Sequence, residues 1–362
     1  MRLSLSRKES VDVLRKKIDQ IDEKVVALLN DRASLAQRIG QRKDLNNEEI
    51  YVPAREKQIY ERVSRLSRGP LSPQAIRSIF REVVSASRSL EAPLRAVYLG
   101  PEATFTHLAA REKFGSSAAL TPLGTIGEVF QEVSQGRVSF GVVPIENSTE
   151  GVVAHTLDEL VESDVGICAE LFLDIHHYLL SRTGRAEDIR RIVSHPQALA
   201  QCRSWLATHF PNAKLDEVGS TAQAALLAAV DTSLGAIASS LAKEFYDLEV
   251  VEPNIEDHGN NMTRFLVIGR HSAPPTGNDK TSLVFSVKDR PGILHRMLQP
   301  FAKSRINLTK IESRPIKGKP WEYMFFIDFQ GHRDEAKTKR AIKKLEENCV
   351  LIKILGSYPT GT

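Results

Sequence analysis

Apolar residues recur at three- and four-residue steps from Ile18 through Ile21, Val25, Leu28 and Leu35 to Ile39, and no proline or glycine interrupts them before Gly40. A period of that kind over so long a stretch is compatible only with an extended amphipathic helix, expected over residues 10–43. A second helix is expected from Pro53 to about Leu66, with proline in the first turn, where its missing N–H is not needed. A third follows Leu71-Ser72-Pro73 and carries Ile76, Ile79, Phe80, Val83 and Val84. No strand pattern precedes Arg95. One long helix and two short ones cannot bury a full core alone, so this all-α module is expected to dimerise through the long helix.

At Arg95 the pattern changes. Ala96-Val-Tyr-Leu-Gly is a short apolar strand running into Pro101, and 138–145, 188–193 and 234–238 are candidates of the same kind. Helical stretches at 126–135, 196–209 and 221–230 lie between them. Such alternation predicts an α/β domain with largely parallel sheets, in which ligands bind beyond strand ends. The polar, proline-rich stretch 271–279 reads as a linker. Beyond it come a strand at 281–287, a helix at 292–304 and strands at 307–313 and 322–329. A charged helix at 333–347 and a strand near 350–355 complete the unit. The order β-α-β-β-α-β is that of the ferredoxin-like split unit. The chain therefore reads as multidomain, with domains at 5–92, 95–270 and 280–358.

Composition narrows the class. At 362 residues the chain exceeds one domain of about 100–150 residues. A hydrophobic fraction of 41% with 26% charged residues suits a globular protein in water. No apolar run approaches the roughly 20 residues that a membrane-spanning helix needs, so no membrane partner is expected. The first residues are basic but lack an apolar stretch, so secretion is not expected. Cys168, Cys202 and Cys349 are too widely spaced for a disulfide framework or metal ligation, which points to a reducing, cytoplasmic setting without a metal. The net charge is only +4, with basic residues crowded towards the amino terminus. A basic helical segment fits nucleic acid or a site for a small dianion. Nucleic acid is disfavoured because aromatic residues are not interleaved with the charges.

Arg32 interrupts the stripe Ile21, Val25, Leu28, Leu35, Ile39 on its own face. Its guanidinium should point inward and needs an anionic partner or ligand. Lys43 returns to nearly the same face about 16 Å further along the axis, whereas Arg15 is rotated away and could share a ligand with Arg32 only from another chain. Taken with Leu14–Asp22, Leu28–Arg32, Gly40–Lys43, Arg55-Glu56 and Ser87–Glu91, this constellation resembles the helical chorismate mutase domain. The resemblance implies rearrangement of chorismate to prephenate, an intramolecular reaction that takes no nucleophile, metal or cofactor and is driven by positioning and charge stabilisation. It implies that Arg15 of a partner subunit and Arg32 clamp the two carboxylates. Lys43 donates to the ether oxygen and Glu56 holds the ring hydroxyl, with Arg55 and Ser87 in support. Two positions depart from the family pattern. Val52 stands where some members carry an acid, and Glu91 where others carry Gln. An ionised Glu cannot donate a hydrogen bond, so Glu91 is expected to act protonated.

Residues 96–269 carry five ordered motifs: Leu99–Phe105, Val143–Gly151, Ser194-His-Pro-Gln with Gln201-Cys202, Ser220–Ala225, and Asn261-Met-Thr263-Arg264-Phe265. They resemble a prephenate dehydratase domain, a two-lobed α/β architecture similar to periplasmic binding proteins. The resemblance implies loss of water and CO2 from prephenate to give phenylpyruvate. The departing hydroxyl needs a proton donor, and the resemblance assigns that part to Thr263. Arg264 is expected to bind a substrate carboxylate through both arms of its fork, and Phe265 to wall the departing carboxylate. Thr104, Glu146, Asn147, Ser148, Ser194 and Gln201 are the expected supporting groups. His195, preceding a proline at a helix start, reads as structural. Ala103 replaces the more usual glycine of the first motif.

Residues 280–358, with Asp289-Arg-Pro291-Gly292-Ile293-Leu294, Asn307-Leu308 and Glu312-Ser313-Arg314-Pro315, resemble an ACT domain. The resemblance implies phenylalanine bound at a dimer interface between the Gly292 turn, whose N–H groups can meet a carboxylate, and the Glu312–Arg314 segment. A homodimer or larger assembly through the helical and ACT modules is implied. The residues by themselves also fit a non-catalytic amino-acid sensor, and they do not separate prephenate from arogenate as substrate.

Overall fold

The computed structural model describes residues 10–45, 53–91, 94–288, 290–316 and 323–361. The helical part consists of α1 (Val11–Leu45), α2 (Pro53–Leu66) and α3 (Pro73–Ser89). Ser72 caps α3, its Oγ accepting from Ala75 N at 3.1 Å, and Pro73 follows where its missing donor would have no helical partner. The apolar stripe of α1 is uncovered in the single chain: Ile21 is 57%, Leu28 67% and Leu35 57% exposed.

From Arg95 the chain runs β1 (Arg95–Leu99), α4 (Phe105–Phe114), β2 (Ala119–Leu123), α5 (Ile126–Ser134), β3 (Phe140–Asn147), β4 (Gly151–Val152), α6 (Ala154–Glu162) and β5 (Gly166–Asp174). A second run gives β6 (Tyr178–Ser181), β7 (Arg191–Ser194), α7 (Pro196–Gln201), α8 (Arg203–His209), β8 (Lys214–Glu217), α9 (Thr221–Val230), β9 (Leu234–Ala238), α10 (Ser240–Tyr246) and β10 (Glu249–Glu252). Then follow β11 (Met262–Gly269), β12 (Asp279–Ser286), α11 (Ile293–Lys303), β13 (Leu308–Pro315), β14 (Tyr323–Gln330), α12 (Ala336–Glu346) and β15 (Leu351–Pro359). The described residues pack as two compact units. One holds α1, α3, α2 from residue 59 and the turn at 115–118; the other holds residues 53–58 and the rest of the chain from Arg95.

In the second unit, one sheet has the order β2-β1-β3-β11-β5, with β4 on β3, and another β10-β6-β9-β7-β8. The sheets are mixed rather than largely parallel. The chain leaves the first sheet after β5, builds the second, and returns as β11, which lies antiparallel to both β3 and β5. The amino-terminal end of β11 therefore sits where the chain comes back from the second sheet, and Thr263 stands there. The helix expected at 196–209 breaks at Cys202 into α7 and α8. Asp257 caps the second piece, accepting from Ser204 N at 2.8 Å and Trp205 N at 2.9 Å.

The last sheet has the order β13-β14-β12-β15, all antiparallel, with α11 and α12 packed on one face. Every residue of β12 is buried. Leu283 and Phe285 meet Met297, Phe301 and Leu345 on the helix side, while Val284, Phe326, Leu355 and Tyr358 join the core of the first sheet. At Gly356 a side chain has no room, because a Cβ there would lie 2.3 Å from Ile167 O on β5. Strand β15 thus lies backbone against backbone on the first sheet. Among the described residues no helix is long and apolar enough to cross a membrane.

Candidate active sites

Successive residues of a strand face opposite sides, and β11 uses both. Thr263 pairs with Asn147 and Arg264 with Glu146 of β3. The register then slips past Ile145 to Pro144, a bulge at a residue that has no N–H for the ladder.

On one side, Asn147 Nδ2 donates to Thr263 Oγ1 and to Asn261 Oδ1, both at 2.8 Å. Asn261 Nδ2 donates to Gln201 Oε1 at 3.0 Å, and the same oxygen lies 2.7 Å from His177 Nε2. Asn147 Oδ1 accepts from the backbone N–H groups of Thr149 and Glu150. Because Thr263 Oγ1 accepts from an amide, its own proton is left to be given elsewhere. Ser148 closes the hairpin, its Oγ donating to Asn260 O and accepting from Met262 N. Phe265 is buried.

On the other side, Arg264 is buried and its fork is occupied. Nε donates to Glu170 Oε2 at 2.8 Å, Nη1 to Asp328 Oδ2 at 2.6 Å and Nη2 to the Tyr358 hydroxyl at 3.0 Å. Lys280 Nζ reaches Glu170 at 2.8 Å, and Ser282 Oγ donates to Asp328 Oδ1 at 2.6 Å. Burial alone would lower the Arg264 pKa, but Tyr358, Asp328 and Glu170 outweigh it and raise it, so the group is charged. Glu146 lies on this same side, 2.7 Å from Lys310 Nζ and 3.8 Å from Arg264 Nη1. Lys280, Ser282, Lys310, Asp328 and Tyr358 all belong to the last sheet. The expected clamp of a substrate carboxylate by Arg264 is therefore corrected: two protein carboxylates already hold the fork. Glu146 likewise faces Lys310 rather than the Thr263 cluster.

Thr104 gives its proton to Pro101 O at 2.9 Å, and Ser194 gives its own to Ile237 O at 2.7 Å. His195 caps α7, accepting from Gln197 N. Ala103 adopts φ +62°, so the glycine-like angle persists without glycine. Its N–H donates to His107 Nδ1 and its carbonyl accepts from Ser239 Oγ, which fixes the peptide groups on both sides.

In the helical unit, Arg32 does turn inward. Its Nη1 donates to Ser87 Oγ at 2.5 Å, and Ser87 Oγ donates to Val83 O. Glu91, just past the end of α3, lies against Gly40 of α1, where a Cβ would come within 2.7 Å of Glu91 Cβ. Burial pushes the Glu91 carboxyl above the usual carboxylate range, against the pull of Lys43, Arg88 and Arg32. The same causes seen from the cation, burial first, lower Arg32 despite Glu91 and Tyr60. Glu56 is buried on the first turn of α2, and Arg55 beside it is exposed, 3.3 Å from Gln58 Oε1. Arg15 is exposed and pairs only loosely with Asp12 at 3.6 Å. Val52 lies outside the described residues.

Three family models match in succession: chorismate mutase type II over residues 14–92, prephenate dehydratase over 96–273 and the ACT domain over 281–347. A bifunctional chorismate mutase/prephenate dehydratase of Aquifex aeolicus is 50% identical across 97% of this chain and 98% of its own length. The chain belongs to that family. A second member, from Pseudomonas aeruginosa, is 44% identical over 98% of this chain and 99% of its own. The crystal structure of a prephenate dehydratase from Arthrobacter aurescens in complex with L-Phe is similar over 74% of this chain and 90% of its own, at 34% identity and a TM-score of 0.68.

In the ACT domain, Gly292 stands at the start of α11 with φ +74° and open space around its Cα. Pro291 O accepts from Arg296. Ile293 is buried, Leu294 and Leu308 flank the same core, and Asn307 O accepts from Gln330 N. Strand β13 alternates: Glu312 and Arg314 are half-buried, Ser313 exposed. Arg314 Nη1 donates to Asp158 Oδ1 and Ala154 O of α6, both at 2.5 Å, so this member of the expected effector site grips the dehydratase domain. Asn261, His177, Glu170 and Asp328 were not anticipated. Glu170 and Asp328 carried a signal, an acid within an otherwise apolar strand, which needs a buried cation. Replacing Asp328 by Asn leaves Arg264 under-compensated, and a loss of about 3 kcal/mol or more in urea-unfolding stability is expected.

Proposed function

We propose that the chain catalyses two consecutive steps of phenylalanine biosynthesis, chorismate to prephenate in the helical module and prephenate to phenylpyruvate in the dehydratase domain, and that phenylalanine bound at the ACT domain restrains it. The domains are read as 5–92, 95–270 and 280–358 with 271–279 between the last two, in a cytoplasmic protein. The two mixed sheets serve as two lobes with prephenate between them, and the βαββαβ module is ferredoxin-like. The observation that carries the dehydratase reading is the polarity of the bond into Thr263 Oγ1. As the carboxylate departs as CO2, its bonding pair enters the ring and expels the ring hydroxyl. That hydroxyl takes the Thr263 proton and leaves as water, and the ring becomes aromatic. Asn147 Nδ2–H stabilises the negative charge developing on Oγ1. Gln201 and Ser148 orient the substrate, Thr104 and Ser194 shape the backbone around it, and Phe265 lines the strand beneath.

In the helical module Arg32 binds a chorismate carboxylate with Ser87 fixing its fork, and Lys43 with Glu91 faces the ether oxygen. Glu56 and Arg55 of α2 complete the set with Arg15 of a second subunit. The uncovered stripe of α1 supports such a dimer. So does the outer edge of β13, which pairs only with β14 among the described strands. Phenylalanine would place its carboxylate at the Gly292 turn and its side chain beside Leu294 and Leu308, near Asn307 and Glu312–Arg314, thereby favouring one arrangement of ACT and dehydratase domains.

Purified protein given chorismate should accumulate prephenate and then phenylpyruvate, and phenylalanine should suppress the second product. Thr263→Ala should cut phenylpyruvate formation by about 10²-fold or more while prephenate still forms; full retention of phenylpyruvate would overturn the dehydratase assignment. Glu91 with its raised pKa keeps the proton below that pKa and loses it as pH rises, so mutase turnover should fall with rising pH. Glu91→Gln, always a donor, should flatten that profile, and an unchanged profile would sink the protonation argument. Sedimentation velocity should return at least a dimer, and Leu28→Glu in the α1 stripe should shift it towards monomer.

A further inference from the structure

The amide orientations around Thr263 are dictated from one end. Two backbone N–H groups, of Thr149 and Glu150, point at Asn147 Oδ1 from 2.9 and 3.0 Å, so that atom is the oxygen and the nitrogen faces Thr263 and Asn261. Asn261, accepting through its oxygen, turns its nitrogen to Gln201 Oε1. That oxygen also lies 2.7 Å from His177 Nε2. An amide oxygen cannot donate, so Nε2 carries the hydrogen, and in the neutral ring Nδ1 is a bare acceptor.

The imidazole is itself held on several sides. It is 2% exposed. Its ring meets Phe105 edge-on at 5.5 Å, and its backbone N–H donates to Glu256 Oε2 at 2.9 Å. The other Glu256 oxygen holds His176 Nδ1 at 2.7 Å. Burial is the largest influence on the ring and keeps it neutral, despite the Gln201 bond and Glu256, which pull the other way. With two donors fixed on its oxygen, the Gln201 amide cannot flip. Its Nε2 is buried and has no protein acceptor among the described residues, and neither has His177 Nδ1 a donor. A buried amide nitrogen that is held in place yet unpaired lacks the acceptor such groups almost always have, and an oxygen brought by the substrate would supply it.

We propose that His177 is a positioning residue of the dehydratase reaction: its Nε2–H locks the Gln201 amide with the NH2 group presented to an oxygen of the substrate. This rests on reading the Thr263 centre as the dehydratase site. His177 touches no reacting atom and acts through Gln201, whose oxygen also anchors Asn261 and, through it, Asn147 beneath the Thr263 hydroxyl. Removing the imidazole frees the amide to turn and to swap a donor for an acceptor where the substrate oxygen lies, which weakens both binding and the alignment of the proton donor.

The test uses the full-length protein, whose mutase turnover reports folding in the same sample. His177→Leu, His177→Gln, Gln201→Ala and the His177→Leu/Gln201→Ala double variant are compared for prephenate kcat and KM, mutase rate and thermal midpoint. His177→Leu should lower dehydratase kcat/KM by about tenfold or more with mutase rate and midpoint held. His177→Gln, which supplies an N–H in place of Nε2–H, should recover most of it. The double variant should be no worse than Gln201→Ala alone, since the lock has nothing left to hold. Losses that multiply in the double variant, a glutamine variant as poor as leucine, or a midpoint that falls in step with activity would each overturn the proposal. A Thr263→Ala enzyme with full activity would instead remove the dehydratase reading on which it rests.

Discussion

The buried charge cluster around Arg264 is the constraint on which the second unit depends. Arg264 and Lys280 face Glu170 and Asp328, so cations and carboxylates balance, with Tyr358 and Ser282 taking up further hydrogen-bonding capacity. Such a cluster adds less net stability than an apolar core of the same volume would, but it punishes any loss of register, because a displaced partner leaves a charge without compensation. Its members come from β11 and β5 of the dehydratase sheet and from β12, β14 and β15 of the ACT sheet. The two sheets are therefore joined in one geometry, and the glycine contact of β15 on Ile167 leaves no slack beside it.

That geometry gives β11 two faces with different work. Thr263 looks towards the amide cluster, and Arg264, one residue on, looks into the ACT sheet. A displacement of the ACT sheet cannot bypass the strand that presents the Thr263 hydroxyl. Three more contacts run in parallel. Lys310 holds Glu146, the neighbour of Asn147, while Arg314 and Lys353 grip α6 at its start and at its terminal carbonyls. Arg314 lies within the segment expected to meet phenylalanine, so a ligand that draws on its guanidinium competes with Asp158 for it. Effector and catalytic domain then contend for one side chain, which is a physical route for coupling.

Much of this is legible in the sequence. The α1 stripe, the inward turn of Arg32 and the βαββαβ order follow from periodicity, because an apolar face leaves a repeating trace whether or not its own chain covers it. Motif adjacency misled in one place. Thr263, Arg264 and Phe265 read as one catalytic group, yet the period of two along a strand sends the middle residue to the opposite side. Gln201 would by default lie on the surface of a helix continuing to residue 209. The break at Cys202, made by an Asp257 cap from 55 positions later in the chain, turns it inward. Long-range caps and cross-sheet ion pairs leave no periodic trace, and His177 and Asn261 were missed for the same reason.

The helical module shows how a departure from a family pattern can be absorbed. By resemblance Glu91 stands where other members carry glutamine, and in the proposed site an ionised carboxylate beside the ether oxygen would repel the charge that builds there. The chain sets Glu91 against Gly40, where the missing side chain on α1 permits close approach and Glu91 is half-buried. That desolvation raises its pKa, whereas Lys43, Arg88 and Arg32 nearby draw it back down. The balance of these causes is upward, so in the proposed site the neutral, donating acid persists to higher pH than an ordinary carboxyl would. Closing the site with substrate tips it further if chorismate's two carboxylates neutralise the same cations, because the pull that favours ionised Glu91 is then shared with the ligand. In the proposed site, substrate binding itself then raises the pH up to which Glu91 can donate.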